Sequence, residues 1–164
     1  MAGISGSVTG SILSKLKATK DGVNARIGAI VHGDSRVSAV GIRSIVALHA
    51  SVEISEKSGQ AHYPGLVVYC EKLTNSLKEK FRRFSGRARL VIEVRHSEDR
   101  IDGIEADTQV YVDAVCALLD ESRGDWGGGA FYAGGYDVVY EPISRGGKNF
   151  LQRAKVGFDV EISR

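Results

Sequence analysis

The side chains able to do metal or nucleophilic chemistry are few and scattered. The four histidines, His32, His49, His62 and His96, lie far apart and Cys70 and Cys116 stand alone, so we expect none of the CxxC, HxxxH or HxE pairings that close a zinc site. His49 falls on the polar side of an alternating stretch and reads as an exposed histidine. Gly146-Gly147-Lys148 is similar to the close of a phosphate-binding loop, but the glycine needed five residues before Gly147 is Pro142, and Asn149 stands where a Ser or Thr would hold magnesium. No GxSxG elbow occurs, and neither cysteine has a histidine close in sequence. Glu98-Asp99-Arg100-Ile101-Asp102-Gly103 gathers acids without the alternating ligand pattern of a calcium loop, and the charged start of a helix accounts for it. The sequence therefore leads us to expect no catalytic residue, no cofactor and no metal.

Binding chemistry is better supplied. Between residues 72 and 95 stand eight basic side chains, Lys72, Lys78, Lys80, Arg82, Arg83, Arg87, Arg89 and Arg95, against Glu79 and Glu93. From 98 to 125 the sign reverses, with nine acids, among them Asp102 and Glu105, against Arg100 and Arg123. Such a density of Lys and Arg can neutralise phosphates, yet a whole-chain formal charge of +2 suits a free DNA binder poorly. Adjacent blocks of opposite sign point instead to charge-complementary assembly, with Arg87 and Arg89 on the basic side and Asp102 and Glu105 on the acidic side. The glycine-rich loop from Gly124 to Gly135 places Trp126, Phe131 and Tyr132 among residues too small to cover them. Large rings are enriched in interfaces, so these three are the first candidates for a partner surface, joined by Lys148 in a later polar turn.

These residues need elements to position them. Ile12, Leu13 and Leu16 give a modest amphipathic helix over Ser5 to Lys20. Residues 21–45, broken by Gly22, Gly28, Gly33 and Gly41, read as an extended arm or irregular strands. Leu48, Ala50, Val52 and Ile54 alternate with polar residues as a half-buried strand, ending at a Lys57-Ser58-Gly59 turn. Leu66, Cys70, Leu73, Leu77, Phe81 and Phe84 recur at helical spacing, which predicts a helix of about five turns after Pro64. Ala88, Leu90, Ile92 and Val94 form a second strand, and Ile104 to Leu119 a second long helix with acids in its first turns. Tyr136 to Glu141 and the alternating Ala154 to Ile162 give two more strands, paired as an antiparallel hairpin. The expected fold is α/β in the α+β sense: a single, mainly antiparallel sheet of four or more strands, two long helices packed on one face, an N-terminal helix and an extended arm.

Length and composition bound the rest. At 164 residues, 43% hydrophobic and 26% charged, residues 1–164 read as one globular domain. Two cysteines within apolar stretches suit a reducing compartment. No run reaches the roughly 18 apolar residues of a membrane span, so a soluble protein with no membrane partner is expected.

Taken together, several stretches resemble the tail terminator, or tail-completion, proteins of tailed bacteriophages. They are His62-Tyr63-Pro64-Gly65 leading into Leu66 to Phe84, the Arg87 to Arg95 strand, the acidic Ile104 to Leu119 helix, and Gly146-Gly147-Lys148-Asn149-Phe150-Leu151-Gln152-Arg153-Ala154 running into Val156 to Val160. The resemblance covers about two thirds of the chain, from Val46 onward, as an order of elements rather than a diagnostic motif. It implies a structural virion protein of the tail or neck, assembled in the host cytoplasm, without enzymatic activity or cofactor. Its partners would be other copies of itself in a hexameric ring, the tail-tube protein and the head–tail connector protein, with DNA only passing through the lumen. Another neck ring, a tube subunit or a nucleic-acid-binding accessory protein are the alternatives.

Overall fold

A computed structural model describes residues 3–33, 39–48 and 62–164. Among these residues the fold is α+β: three helices and a curled, eight-stranded sheet. Helices α1 (Ile4–Lys17) and α2 (Val23–Gly33) come first, then β1 (Ser44–Ala47), β2 (Gly65–Asn75) and β3 (Ser85–Glu98). Helix α3 (Ile104–Glu121) leads into the short strands β4 (Gly124–Gly127), β5 (Ala130–Tyr132), β6 (Asp137–Tyr140) and β7 (Ser144–Gly146), and β8 (Asn149–Ser163) completes the sheet.

Strands β3 and β8 form its spine, paired antiparallel in unbroken register from Ser85↔Ser163 to Glu98↔Phe150. Alternation sorts their side chains as the sequence implied. Ala88, Leu90, Ile92 and Val94 of β3 join Ala154, Val156, Phe158, Val160 and Ile162 of β8 in one core cluster with the apolar residues of all three helices. The other face carries Arg87, Arg89, Glu93 and Arg95 opposite Glu161, Asp159, Lys155 and Arg153. A small apolar group on that face, Val67, Tyr69 and Val91, is buried separately. The second edge of β8 is shared out among β7, β6 and β5 in turn, all antiparallel. On the other side β2 pairs antiparallel with β3, while β1 pairs parallel with β2.

Three expectations need correcting. The long helix over Leu66 to Phe84 does not exist: Gly65–Asn75 is strand and the residues beyond it are an exposed connection. Leu66, Val67, Val68 and Tyr69 are all buried, so this run packs on both faces and lacks the alternation that would have identified it. The apparent helical stripe was a coincidence of spacing, since Leu73, Leu77 and Phe81 are exposed. Second, the arm expected over residues 21–45 contains α2, whose Val23 and Ile27 are buried in the core. Gly28 lies on the exposed side of α2, and its helix cost of about 1 kcal/mol relative to alanine is offset by the burial of Val23 and Ile27. Third, the supposed aromatic loop is the β4–β5 hairpin, turned by Gly127, Gly128 and Gly129, all at positive φ. A Cβ at Gly129 would collide with the Ser163 carbonyl.

The strand expected to continue to Ile54 is seen as β1 up to Ala47; His49 to Ile54 and the Lys57-Ser58-Gly59 turn lie outside the described residues. The C-terminal hairpin is present, with β6 paired to β8 and a Gly147-Lys148 turn joining β7 to β8. Phe158, fully buried between the rings of Tyr132 and Trp126, anchors the β8 side of the core. Phe158→Ala is expected to lower unfolding stability by about 3–5 kcal/mol, read as a shifted urea midpoint.

Candidate functional site

The β2–β3 connection builds one end of the molecule. From Glu71 to Arg83 every side chain is exposed, and five of them are basic, Lys72, Lys78, Lys80, Arg82 and Arg83, against Glu71 and Glu79. The tip is held by Asn75, whose Oδ1 accepts from the amides of Leu77 (3.2 Å) and Ser85 (3.1 Å) while its Nδ2 donates to the Arg83 carbonyl (3.3 Å). Leu77 and Phe81 both adopt positive φ, 48° and 71°. Each such residue costs on the order of 1–3 kcal/mol of strain, and it is concentrated here on two large apolar side chains that face solvent, Phe81 fully exposed. Between this tip and the β4–β5 turn runs a groove of about 470 Å³ lined by Lys78, Glu79, Arg87, Phe131, Glu161 and Ser163. The sheet thus brings together the basic stretch and the exposed Phe131, two features some fifty residues apart in sequence.

The far end of β3 is weighted towards acids. Asp99, Asp102 and Glu105 are exposed around the turn into α3, with Arg100 and Ile101 exposed among them. Lys148 sits at this end too, because the β7–β8 turn lies next to the Glu98↔Phe150 pair. A strand of 14 residues separates the two ends by roughly 43 Å.

Also at this end, His96 Nε2 lies 2.7 Å from Glu98 Oε1 and 4.0 Å from Asp107 Oδ2. His96 and Glu98 share a face because they are two apart on a strand, and Asp107 comes from the first turn of α3. Burial, chiefly, pushes the Glu98 carboxyl above its usual range, with a hydrogen bond to Asp107 adding to the rise and His96 opposing it. This corrects the expectation that no His-x-Glu pairing occurs: His96-Ser97-Glu98 is one, overlooked among scattered histidines, and Asp107 joins it only through the fold.

The expected contact residues divide sharply. Tyr132 is fully buried, its hydroxyl donating to the Gly135 carbonyl (3.0 Å), and offers no surface to a partner. Trp126 is half-buried against Tyr132 and Phe158, its indole N–H donates to the Ser122 carbonyl (2.6 Å), and Lys15 lies over its ring. Arg89 is paired within the chain to Asp137 and Asp159, and Arg87 reaches Asp159 at 3.6 Å, so the acidic face set against them is on the same subunit. Phe131, Asp102, Glu105 and Lys148 remain exposed. Leu77 and Phe81 were assigned to a buried stripe by the sequence; their exposure follows from β2 ending at Asn75.

Neither cysteine is placed as a nucleophile. Burial raises the Cys70 thiol, whose Sγ contacts the Lys72 carbonyl, and pushes Cys116 up to about 11. Among the described residues no helix is long and apolar enough to cross a membrane. No protein-family model matches the chain, and no curated protein matches it in sequence. With the Cys116 thiol near 11, about one thiol in a thousand is ionised at pH 8. Native-state alkylation of Cys116 by iodoacetamide at pH 8 is expected to be at least roughly tenfold slower than in the urea-unfolded chain; peptide mass mapping with equal rates in both states would contradict this placement.

Proposed function

We propose that this chain is a structural subunit of a tailed-bacteriophage virion, forming a ring at the head-proximal end of the tail tube. There it stops tube polymerisation and joins the tail to the head connector. The observation that carries the reading is the polarity of the subunit: a basic tip with exposed Leu77 and Phe81 at one end of β3, and an acidic turn with exposed Ile101 at the other. A closed ring is built from heterologous contacts, in which one surface of each copy meets a different surface of the next. Two ends of opposite charge, each with an apolar residue to bury, supply such a pair of surfaces. The resemblance in sequence supports the same reading through the Arg87 to Arg95 strand, the acidic helix and the C-terminal strand. Its contribution from Leu66 to Phe84 is weaker, since those residues form strand and tip. A hexamer, with the tail-tube and head-connector proteins above and below it and DNA passing through the lumen, is the assembly this family resemblance implies. No catalytic group or cofactor is required for that role.

The test uses assembled particles. Reversing Lys78, Lys80 and Arg82 to Glu is expected to reduce incorporation of the subunit into purified virions by roughly tenfold or more, because every interface of a ring repeats changes that individually are worth about 0.2–1 kcal/mol. Adding Asp99→Lys and Asp102→Lys to that variant restores incorporation if the two ends meet. A wild-type subunit absent from virions, or located by electron microscopy away from the head-proximal end of the tail, overturns the reading. Salt-dependent DNA affinity of the isolated subunit that falls on Phe81→Ala would place it instead among nucleic-acid-binding accessory proteins, with the tip as a stacking platform.

A further inference from the structure

We infer that His96, Glu98 and Asp107 form a binding site for a single divalent transition-metal ion of the zinc type, located where β3 enters the turn to α3. The inference is independent of the ring reading and rests on the cluster itself. One imidazole nitrogen and two carboxylates place their ligand atoms within 4.8 Å of one another. In a tetrahedral zinc site with bonds of about 2.0–2.2 Å, neighbouring ligand atoms stand about 3.3–3.6 Å apart. His96 Nε2 is 2.7 Å from Glu98 Oε1 and 4.0 Å from Asp107 Oδ2, so changes of less than about 1 Å bring these two spacings to that range, and the Glu98–Asp107 spacing is no more than 4.8 Å.

A second observation comes from the neighbouring strand. Gln152 is the register partner of His96 on β8 and lies on the same face, so its side chain borders the cluster. It is 5% exposed, and its Oε1 has no hydrogen-bond partner. A buried amide oxygen left in this way costs about 1–3 kcal/mol unless something donates to it. The fourth position of a three-ligand zinc site is taken by water, and a metal-bound water beside His96 is a donor suited to that oxygen.

The donor set also selects the ion. One nitrogen with two carboxylates suits Zn2+ or a neighbouring first-row ion, whereas Ca2+ and Mg2+ favour all-oxygen shells in which an imidazole nitrogen is a poor ligand. The side chains of His96 and Asp107 are 6% and 5% exposed and that of Glu98 is 25% exposed, which leaves Glu98 as the side from which an ion enters. The consequence is structural. An ion here would tie the end of β3 to the first turn of α3, close to the acidic surface but beneath it.

The experiment titrates the EDTA-stripped full-length protein with Co2+ alone, reading the visible d–d absorption, and then displaces it with Zn2+. One equivalent per chain, a rise in melting temperature with Zn2+ and none with Mg2+ at the same concentration are expected. His96→Gln and Glu98→Gln should each weaken Co2+ binding at least tenfold, with circular dichroism confirming that the variants remain folded. Gln152→Leu should keep the binding stoichiometry while changing the cobalt spectrum through the lost hydrogen bond. Absence of a saturable band, or a band that persists unchanged in folded His96→Gln and Glu98→Gln, overturns the assignment, the latter by placing the ion at another histidine.

Discussion

Fourteen consecutive residue pairs join β3 to β8, and nearly everything else in the molecule is hung on that ladder. Because side chains alternate across a strand, the ladder separates a mainly apolar face from a mainly charged one, with Val91 the apolar exception on the second and the His96↔Gln152 pair the polar end of the first, and a slip of one residue would invert both. The helices supply the apolar cover for one face. On the other, charges neutralise each other in place: Arg95 with Glu93, Arg89 with Asp159 and Asp137, Arg153 and Lys155 with Glu141. This internal neutralisation explains why a strand so rich in arginine leaves so little free positive charge along its middle. The charge left free is displaced to the two ends of the ladder, where the chain turns.

How much of this was legible depends on whether a segment had one buried face or two. Helix α3 and strand β8 each bury one face and show periods of 3.6 and 2, whereas β3 is buried on both faces from Leu90 to His96 and kept a readable period of 2, interrupted at Val91, because the second buried face carries the polar Glu93 and Arg95. Strand β2 is buried on both faces from Gly65 to Tyr69 and exposed on both from Glu71 to Asn75, so it has no period of its own. Leucines and phenylalanines four and three apart then imitated a helix. In α2 the misleading signal was glycine, a weak helix former whose cost of about 1 kcal/mol is outweighed by the packing of Val23 and Ile27 against the core. The candidate contact residues followed the same logic. Trp126 and Tyr132 looked uncovered because their sequence neighbours are small, but the cover comes from Phe158, 26 residues beyond Tyr132.

The two ends also differ in how they are built. The acidic end is anchored by a helix N-terminus and by buried His96 and Asp107, so its exposed carboxylates stand on a fixed base. The basic end is a tip carried by a strand whose outer half is exposed, held by the three hydrogen bonds of Asn75 and by the Ser163 hydroxyl donating to Glu79 (2.7 Å). Opening of the tip alone would break few buried contacts, whereas opening of the acidic turn would expose core. One surface is therefore suited to adapt and the other to present a fixed shape.

The spine strands are far apart along the chain. Between Glu98 and Asn149 lie α3 and four short strands, so the central ladder cannot close until all of that has been arranged nearby. Contacts of such sequence separation demand loop closure before they return any stabilisation, which puts folding on the scale of milliseconds to seconds rather than microseconds. During that interval Leu90, Ile92 and Val94 have no partner strand on one side. Arginines flank them, Arg87 and Arg89 before and Arg95 after, and charges so placed disfavour pairing between incomplete chains; Arg87 and Arg89 stand unpaired with Asp159 until β8 arrives, whereas Arg95 has Glu93 on its own strand.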